Sequence, residues 1–215
     1  MKNKYIIFDC DGTLLNTYPL IMESFKRTFK NYLPDYLLTE DELNSFFGPS
    51  LRLTFLRYFD ESMVDDVIKY YRKINRSLMP EWINVFEGII DLLEYLKQNE
   101  YPISILSNKA YDMIMYGLEL TNIAHYFDVV IGYEQMPQHK PHPAGIEVIK
   151  DFYKTNNNDN IYLIGDTLID ISTATNANIN SVGVTWCITK KEDFIKSNAK
   201  YIINEPSELI KILEE

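Results

Sequence analysis

A four-residue apolar run, Tyr5-Ile6-Ile7-Phe8, is cut off from every later strand of the chain by about 65 residues that read as helix throughout. A lone strand this short is not stable by itself. It must join the sheet built from the later segments, so the helical block between them is an insertion. Within the block, Asn16 or Thr17 can cap a helix running to about Tyr32. Thr39-Glu40-Asp41-Glu42 has the form of a capping box. Further helices are expected from Ser50 through Phe59 and from Met63 to Leu78.

Beyond the block the pattern alternates. Helices are expected at Ile89–Gln98, up to Leu120, at Pro143–Tyr153, at Ile169–Ala177 and from Pro206. Strands are expected at Pro102–Leu106, Phe127–Ile131, Ile161–Ile164, Ser181–Thr185 and Tyr201–Ile203. Alternation of this kind predicts an α/β fold, a doubly wound parallel sheet covered on both faces, with an inserted all-helical domain. The expected division is residues 1–15 and 83–215 for the α/β core and 16–82 for the helical insert.

Composition narrows the function classes. The chain is 46% hydrophobic and 24% charged, as expected of a soluble globular protein. Its formal charge of 21 − 31 = −10 argues against a nucleic-acid or anionic-membrane surface. The apolar run after Met1-Lys2-Asn3-Lys4 is too short for a signal peptide or a membrane span. Cys10 and Cys187 have no metal-type spacing and are expected to be reduced core residues, which places the chain in the cytoplasm.

The first strand runs into Asp9-Cys10-Asp11-Gly12-Thr13-Leu14. Side chains alternate along an extended backbone, so Asp9 and Asp11 share a face and Cys10 takes the other. Gly12 lets the chain turn just after the second acid. Two close carboxylates repel unless a cation or shared proton sits with them, and magnesium, a hard ion with a preference for oxygen, suits the pair. One acid is then available as a nucleophile and the other for proton transfer. An Asp-Gly turn after a buried strand also has a purely structural reading.

In doubly wound sheets, ligands bind at the carboxyl ends of the strands. Four such positions here carry polar groups: Asp9 and Asp11; Ser107 and Asn108; Lys140, in a loop after the third strand; and Asp166, with Asp170 four residues on. Singly, each could be a helix cap or a surface residue. Together they fall in register with the expected strand ends.

With these four segments the chain resembles the haloacid dehalogenase-like phosphohydrolases over nearly its whole length. Asp9-x-Asp11-Gly12-Thr13-Leu14, Ser107-Asn108, Lys140 and Gly165-Asp166-x-x-x-Asp170 match the four family motifs in order. Phe47-Gly48-Pro49-Ser50-Leu51-Arg52 and Ser107-Asn108-Lys109 are similar to the phosphoglycolate-phosphatase-like branch, and the helical block resembles that branch's cap domain.

The resemblance implies a phosphatase acting on a small phosphate monoester, phosphoglycolate or a similar metabolite, through an aspartyl-phosphate. Asp9 would be the nucleophile and Asp11 the acid and base. Lys140 would neutralise charge on phosphate and nucleophile. Mg2+ would be held by Asp9, the Asp11 carbonyl, Asp166 and Asp170. Gly12, Thr13, Ser107 and Asn108 would contact phosphate, and Arg52 would reach substrate from the cap. A monomer or weak dimer is expected.

The alternatives within the family are a hexose-phosphate mutase and an inorganic pyrophosphatase. Outside enzymes, the alternative is a catalytically silent binding protein. Asp11 argues against carbon-directed dehalogenation, and Ile21 stands where the mutase branch carries a cap histidine. Two positions depart from the usual pattern. Asn178 follows Ala177 where glycine is common, a turn that asparagine can keep in the left-handed conformation, and Cys187 follows Trp186 where glycine is also common.

Overall fold

In a computed structural model, which describes residues 4–215, the chain divides into two compact units. One comprises residues 4–16 with Asn84–Glu215, and the other is Thr17–Ile83.

The larger unit is built on strands β1 (Tyr5–Phe8), β4 (Ile103–Leu106), β5 (Val129–Ile131), β6 (Ile161–Gly165), β7 (Asn180–Val184) and β8 (Tyr201–Ile203). They form one sheet in the order β5-β4-β1-β6-β7-β8, with every pair parallel. The isolated first strand lies in the middle, Ile6 pairing with Ile103 on one side and Tyr162 on the other. From β1 the chain winds outward through β4 and β5, then returns to the other side of β1 to begin β6. This reversal makes the carboxyl ends of β1, β4 and β6 the place where a crevice opens.

Helices α5 (Ile89–Gln98), α6 (Tyr111–Leu120), α7 (Ala144–Tyr153), α8 (Leu168–Asn176) and α9 (Lys191–Lys196) connect the strands, and α10 (Glu208–Glu214) follows β8. On one face Ile7, Leu106 and Leu163 of the sheet pack with Ile146 and Ile149 of α7 and Ala174 of α8. Each of the buried leucines and isoleucines contributes roughly 1.5–3 kcal/mol through removal from water. Parallel strands covered on both faces read as near-continuous apolar runs, as β1 and β6 do, with β4 interrupted by the buried Ser104.

A short antiparallel ribbon, β2 (Leu15–Asn16) with β3 (Asn84–Val85), carries the chain out of this unit and back. No strand occurs between residues 17 and 83 among the described residues. That unit holds α1 (Tyr18–Tyr32), α2 (Glu40–Ser45), α3 (Leu51–Phe55) and α4 (Glu61–Trp82). Its core is aromatic. The Phe25 ring lies 4.7 Å from those of Phe46 and Tyr71 and 5.5 Å from that of Phe55. The expected capping box opens α2: Thr39 Oγ1 accepts from Glu42 N–H at 3.2 Å, and Glu42 Oε2 accepts from Thr39 N–H at 2.9 Å.

Several expected boundaries move. Helix α4 continues past Leu78 and through Pro80, which sits in its last turn, where proline's fixed φ is helical and only one backbone bond is lost. The segment after Ser50 leaves the α-helix at Phe55 and tightens, Arg57 N–H bonding to Thr54 and Tyr58 N–H to Phe55. Strand β5 starts at Val129 because Ala124–Tyr126 forms a short 3-10 turn. Helix α9 and the β2–β3 ribbon were not expected. One is six residues long and the other has two residues per strand, too short for a readable period. Asn178 does adopt the left-handed conformation, with φ 54°.

Candidate active site

The ladder of β1 extends one residue beyond the strand, where Asp9 N–H donates to the Ile164 carbonyl at 2.8 Å. That places the Asp9 carboxylate at the strand's carboxyl end, 6% exposed, with Cys10 N–H donating to its Oδ1 at 2.8 Å. The chain then turns through Gly12, φ 75°, whose N–H is taken by the Leu15 carbonyl at 2.8 Å. A side chain at that φ would be strained, which explains the glycine after the second acid.

Strand β6 ends in Gly165 and delivers Asp166, fully buried. Thr13 Oγ1 donates to Asp166 Oδ1 at 3.2 Å, while Oδ2 has no hydrogen-bond partner. Asp170 lies in the first turn of α8, with its carboxylate against Gly165, where a Cβ would fall 2.2 Å from the Asp170 Cγ. Thr167 N–H and Oγ1 both donate to Asp170 Oδ2, at 3.1 and 2.7 Å.

Lys140 reaches the same point from the segment between β5 and α7. Its side chain is 2% exposed, and its Nζ lies 2.6 Å from Asp170 Oδ1 and 3.0 Å from Asp9 Oδ1. Its backbone is clamped by Asn108, whose Oδ1 accepts from Lys140 N–H at 2.9 Å and whose Nδ2 donates to the Lys140 carbonyl at 3.1 Å. The neighbouring histidines are engaged locally. His139 stacks on Tyr133 with centroids 3.6 Å apart, and His142 Nδ1 accepts from Ala144 N–H at 3.1 Å.

Asp9, Asp166 and Asp170 each present a carboxylate oxygen within 4.8 Å of the others. Three carboxylates against one lysine leave a formal surplus of 3 − 1 = 2 negative charges. The protonation preferences reflect this. Burial, reinforced by Asp170 and Asp11, raises Asp9 to about 6 despite the opposing pull of Lys140 and the Cys10 N–H. Burial, then Asp9 and Asp170, hold Asp166 well above the ordinary carboxylate range against the opposing pull of the Cys187 thiol beside it and of Lys140. For Lys140 burial works against the charge, but Asp170 and Asp9 outweigh it and the ammonium is held above its ordinary value. An all-oxygen donor set, two surplus negative charges and a buried, unpaired Asp166 oxygen fit a hard divalent cation such as Mg2+. Both oxygens of Asp170 are engaged, by Thr167 and Lys140. Asp170 already accepts three hydrogen bonds and anchors Lys140, keeping one open site on Oδ1, so Asp166 offers more of the free lone pairs.

The other residues singled out from the sequence are placed as follows. Ser107 is buried at the end of β4, its N–H donating to the Ile131 carbonyl at 3.0 Å. Thr13 is committed to Asp166 through its hydroxyl and to Trp186 through its carbonyl, which accepts from the indole N–H at 3.1 Å. Arg52 belongs to the helical unit, where its guanidinium engages Asp65 at 2.7 Å and Glu61 at 3.1 Å. Asp11 faces a residue to which the sequence assigned no role: Lys109 Nζ lies 2.7 and 3.1 Å from its two oxygens. The one signal for Lys109 was its place directly after Ser107-Asn108.

The comparisons with known proteins agree with this geometry. The profile described as Haloacid dehalogenase-like hydrolase matches residues 6–184. A protein of Listeria monocytogenes named Pyrophosphatase PpaX is 33% identical over 210 residues, spanning 98% of this chain and 96% of its own length. The Bacillus cereus protein of the same name is 31% identical over 215 residues, spanning 100% of this chain and 98% of its own. Among solved structures, one described as a predicted phosphatase from Clostridium acetobutylicum superimposes with a TM-score of 0.87 at 29% identity, covering 99% of both chains. With a family profile spanning most of the sequence, relatives matched end to end and a parallel sheet that gathers the motif residues at its carboxyl edge, the chain belongs to the haloacid dehalogenase-like hydrolases.

Proposed function

We propose that this protein is a magnesium-dependent phosphatase acting on a small phosphorylated metabolite through an aspartyl-phosphate. The observation that carries the reading is the convergence of Lys140 on Asp9 and Asp170 beside the unpaired Asp166 oxygen. Asp9 is the nucleophile and forms the bond to phosphorus. Lys140 holds its carboxylate in place and offsets charge on the incoming phosphoryl group. Asp11 gives a proton to the leaving oxygen and later takes one from the water that hydrolyses the intermediate. Asp9, the Asp11 carbonyl and Asp166 would hold the ion, with Asp170 bound to it directly or through water. When bound, Mg2+ supplies positive charge to the phosphoryl oxygens. Ser107 and the Gly12–Thr13 turn line the phosphate position, and Asn108 acts by fixing Lys140.

We assign the helical unit the role of a cap, with Arg52 as the residue that would contact substrate; its guanidinium is held within the unit by Glu61 and Asp65 in exposed pairs that contribute little stability. The protein works in the cytoplasm as a monomer or weak dimer, without nucleic acid or membrane. No helix among the described residues is long and apolar enough to cross a membrane. The relatives named as pyrophosphatases favour inorganic pyrophosphate as a second substrate reading.

A screen of phosphate monoesters and pyrophosphate, with magnesium and with chelator, tests the proposal. Phosphate release that needs the metal and disappears in Asp9→Asn is the expected result. Release that survives Asp9→Asn would refute the nucleophile, and no release from any compound would favour a binding protein.

A further inference from the structure

Lys109 is bound at both its ends. Its Nζ spans both oxygens of Asp11, at 2.7 and 3.1 Å, with the two side chains only 13% and 17% exposed. Its backbone carbonyl accepts from Tyr133 N–H at 2.8 Å, and its N–H points to Ser107 Oγ at 3.5 Å. The backbone around it is tight: a Cβ on Gly132 would lie 3.0 Å from the Lys109 carbonyl oxygen and 2.8 Å from Tyr111 N. The ammonium is thus delivered from the end of β4 to a carboxylate on the turn after β1, across two strands paired in register. Withdrawing both charges from water costs several kcal/mol per ion unless the geometry is good, so a two-pronged contact is what such burial demands.

Resting on the phosphatase reading above, we propose that Lys109 is the positioning residue for Asp11: it holds the carboxylate in the orientation from which a proton passes to the leaving oxygen. In the first step an Asp9 oxygen bonds to phosphorus and the bond from phosphorus to the ester oxygen breaks. The electron pair goes to that oxygen, which takes the proton of Asp11. The anion left on Asp11 is the species that Lys109 grips. In the second step water attacks phosphorus, its proton returns to Asp11, and phosphate and Asp9 are released. Without Lys109 the carboxylate loses both contacts and is free to rotate, and misplacement by about 1 Å costs about 10²-fold in rate.

The test is kcat/KM for a series of substituted phenyl phosphates with magnesium, a quantity that covers only steps up to departure of the phenol. Wild type should depend weakly on the acidity of the leaving phenol. Lys109→Met should depend steeply, with a small loss for 4-nitrophenyl phosphate that grows to about 10²-fold for phenyl phosphate. Lys109→Arg should restore the weak dependence, and Lys109→Gln provides a second truncation, folded protein being confirmed by thermal unfolding. Asp11→Asn should be as steep, with no further change when Lys109→Met is added. An equal loss across the series in Lys109→Met, or independent losses in the double variant, would overturn the proposal. Failure of the phosphatase reading looks different: wild type is then inactive, or Asp9→Asn remains active.

Discussion

Lys140→Met should reveal how the acidic cluster is held together. The substitution keeps an unbranched chain of similar length in a position 2% exposed and removes an ammonium 3.0 Å from Asp9 and 2.6 Å from Asp170. Breaking a buried ion pair by deleting one partner typically costs about 3–5 kcal/mol. The chemistry of the site sets its own ceiling, because a carboxylate stranded by the loss can take up a proton. For an aspartate whose ordinary value is 3.8, protonation at pH 7 costs about 1.4 kcal/mol per pH unit, or about 4 kcal/mol in all. The expected loss at pH 7 in chelator is therefore about 4 kcal/mol, a fall of about 2 M in the urea midpoint for a slope of about 2 kcal/mol/M.

The folded variant then holds a proton that the unfolded chain has released. Its stability relative to wild type falls as pH rises; the deficit shrinks by about 1.4 kcal/mol as the pH is lowered from 7 to about 6 and levels off below that, where wild-type Asp9 takes up a proton as well. Magnesium should narrow the deficit as well, since the variant presents three carboxylates with no lysine among them. Urea unfolding followed by circular dichroism at pH 5, 6 and 7, with chelator and with magnesium, measures all of this. A deficit below about 1 kcal/mol at pH 7, or one that does not change with pH, would refute the view that Lys140 acts by charge.

Three further substitutions separate parts of the structure. Asp166→Asn removes a buried charge that its surroundings oppose, so in chelator the thermal midpoint should rise by a few degrees, about 2–4 °C per kcal/mol at this length, while the rise caused by magnesium in wild type should vanish. A midpoint that still rises with magnesium would exclude Asp166 as a ligand. Gly165→Ala puts a Cβ 2.2 Å from the Asp170 Cγ and should cost about 1–3 kcal/mol while displacing the anchor of Lys140, with turnover falling alongside stability. In the helical unit, Thr39 N–H, then the hydroxyls of Tyr36 and Thr39, pull Glu42 down to about 2 from 4.5. Its contribution to stability is complete above about pH 4.5 and is lost as pH falls to about 2, so Glu42→Gln should unfold earlier than wild type at pH 7 and together with it at pH 2.

Local chemistry determined much of this protein before any coordinates. The apolar runs at Tyr5–Phe8 and Ile161–Ile164 read as buried strands, Gly12 as a turn and Thr39 with Glu42 as the start of a helix, and all are found so, because each depends on residues within a few positions of one another. The polar groups at strand ends were also readable, since a parallel sheet leaves its carboxyl edge open to ligands. Tertiary structure alone decided how those groups divide their work. Asp166 and Asp170 look equivalent in the sequence, but the turn around Gly165 gives Asp170 three hydrogen bonds, from Thr167 and Lys140, and leaves an oxygen of Asp166 without one. Asn108 was expected to bind phosphate, and in the fold its amide is committed to the backbone of Lys140, 32 residues away. Lys109 meets Asp11 across 98 residues of chain. Pairings of that kind are set by which strands lie side by side, and a side chain's partner there is fixed by distance in space, about which neighbouring residues carry no information.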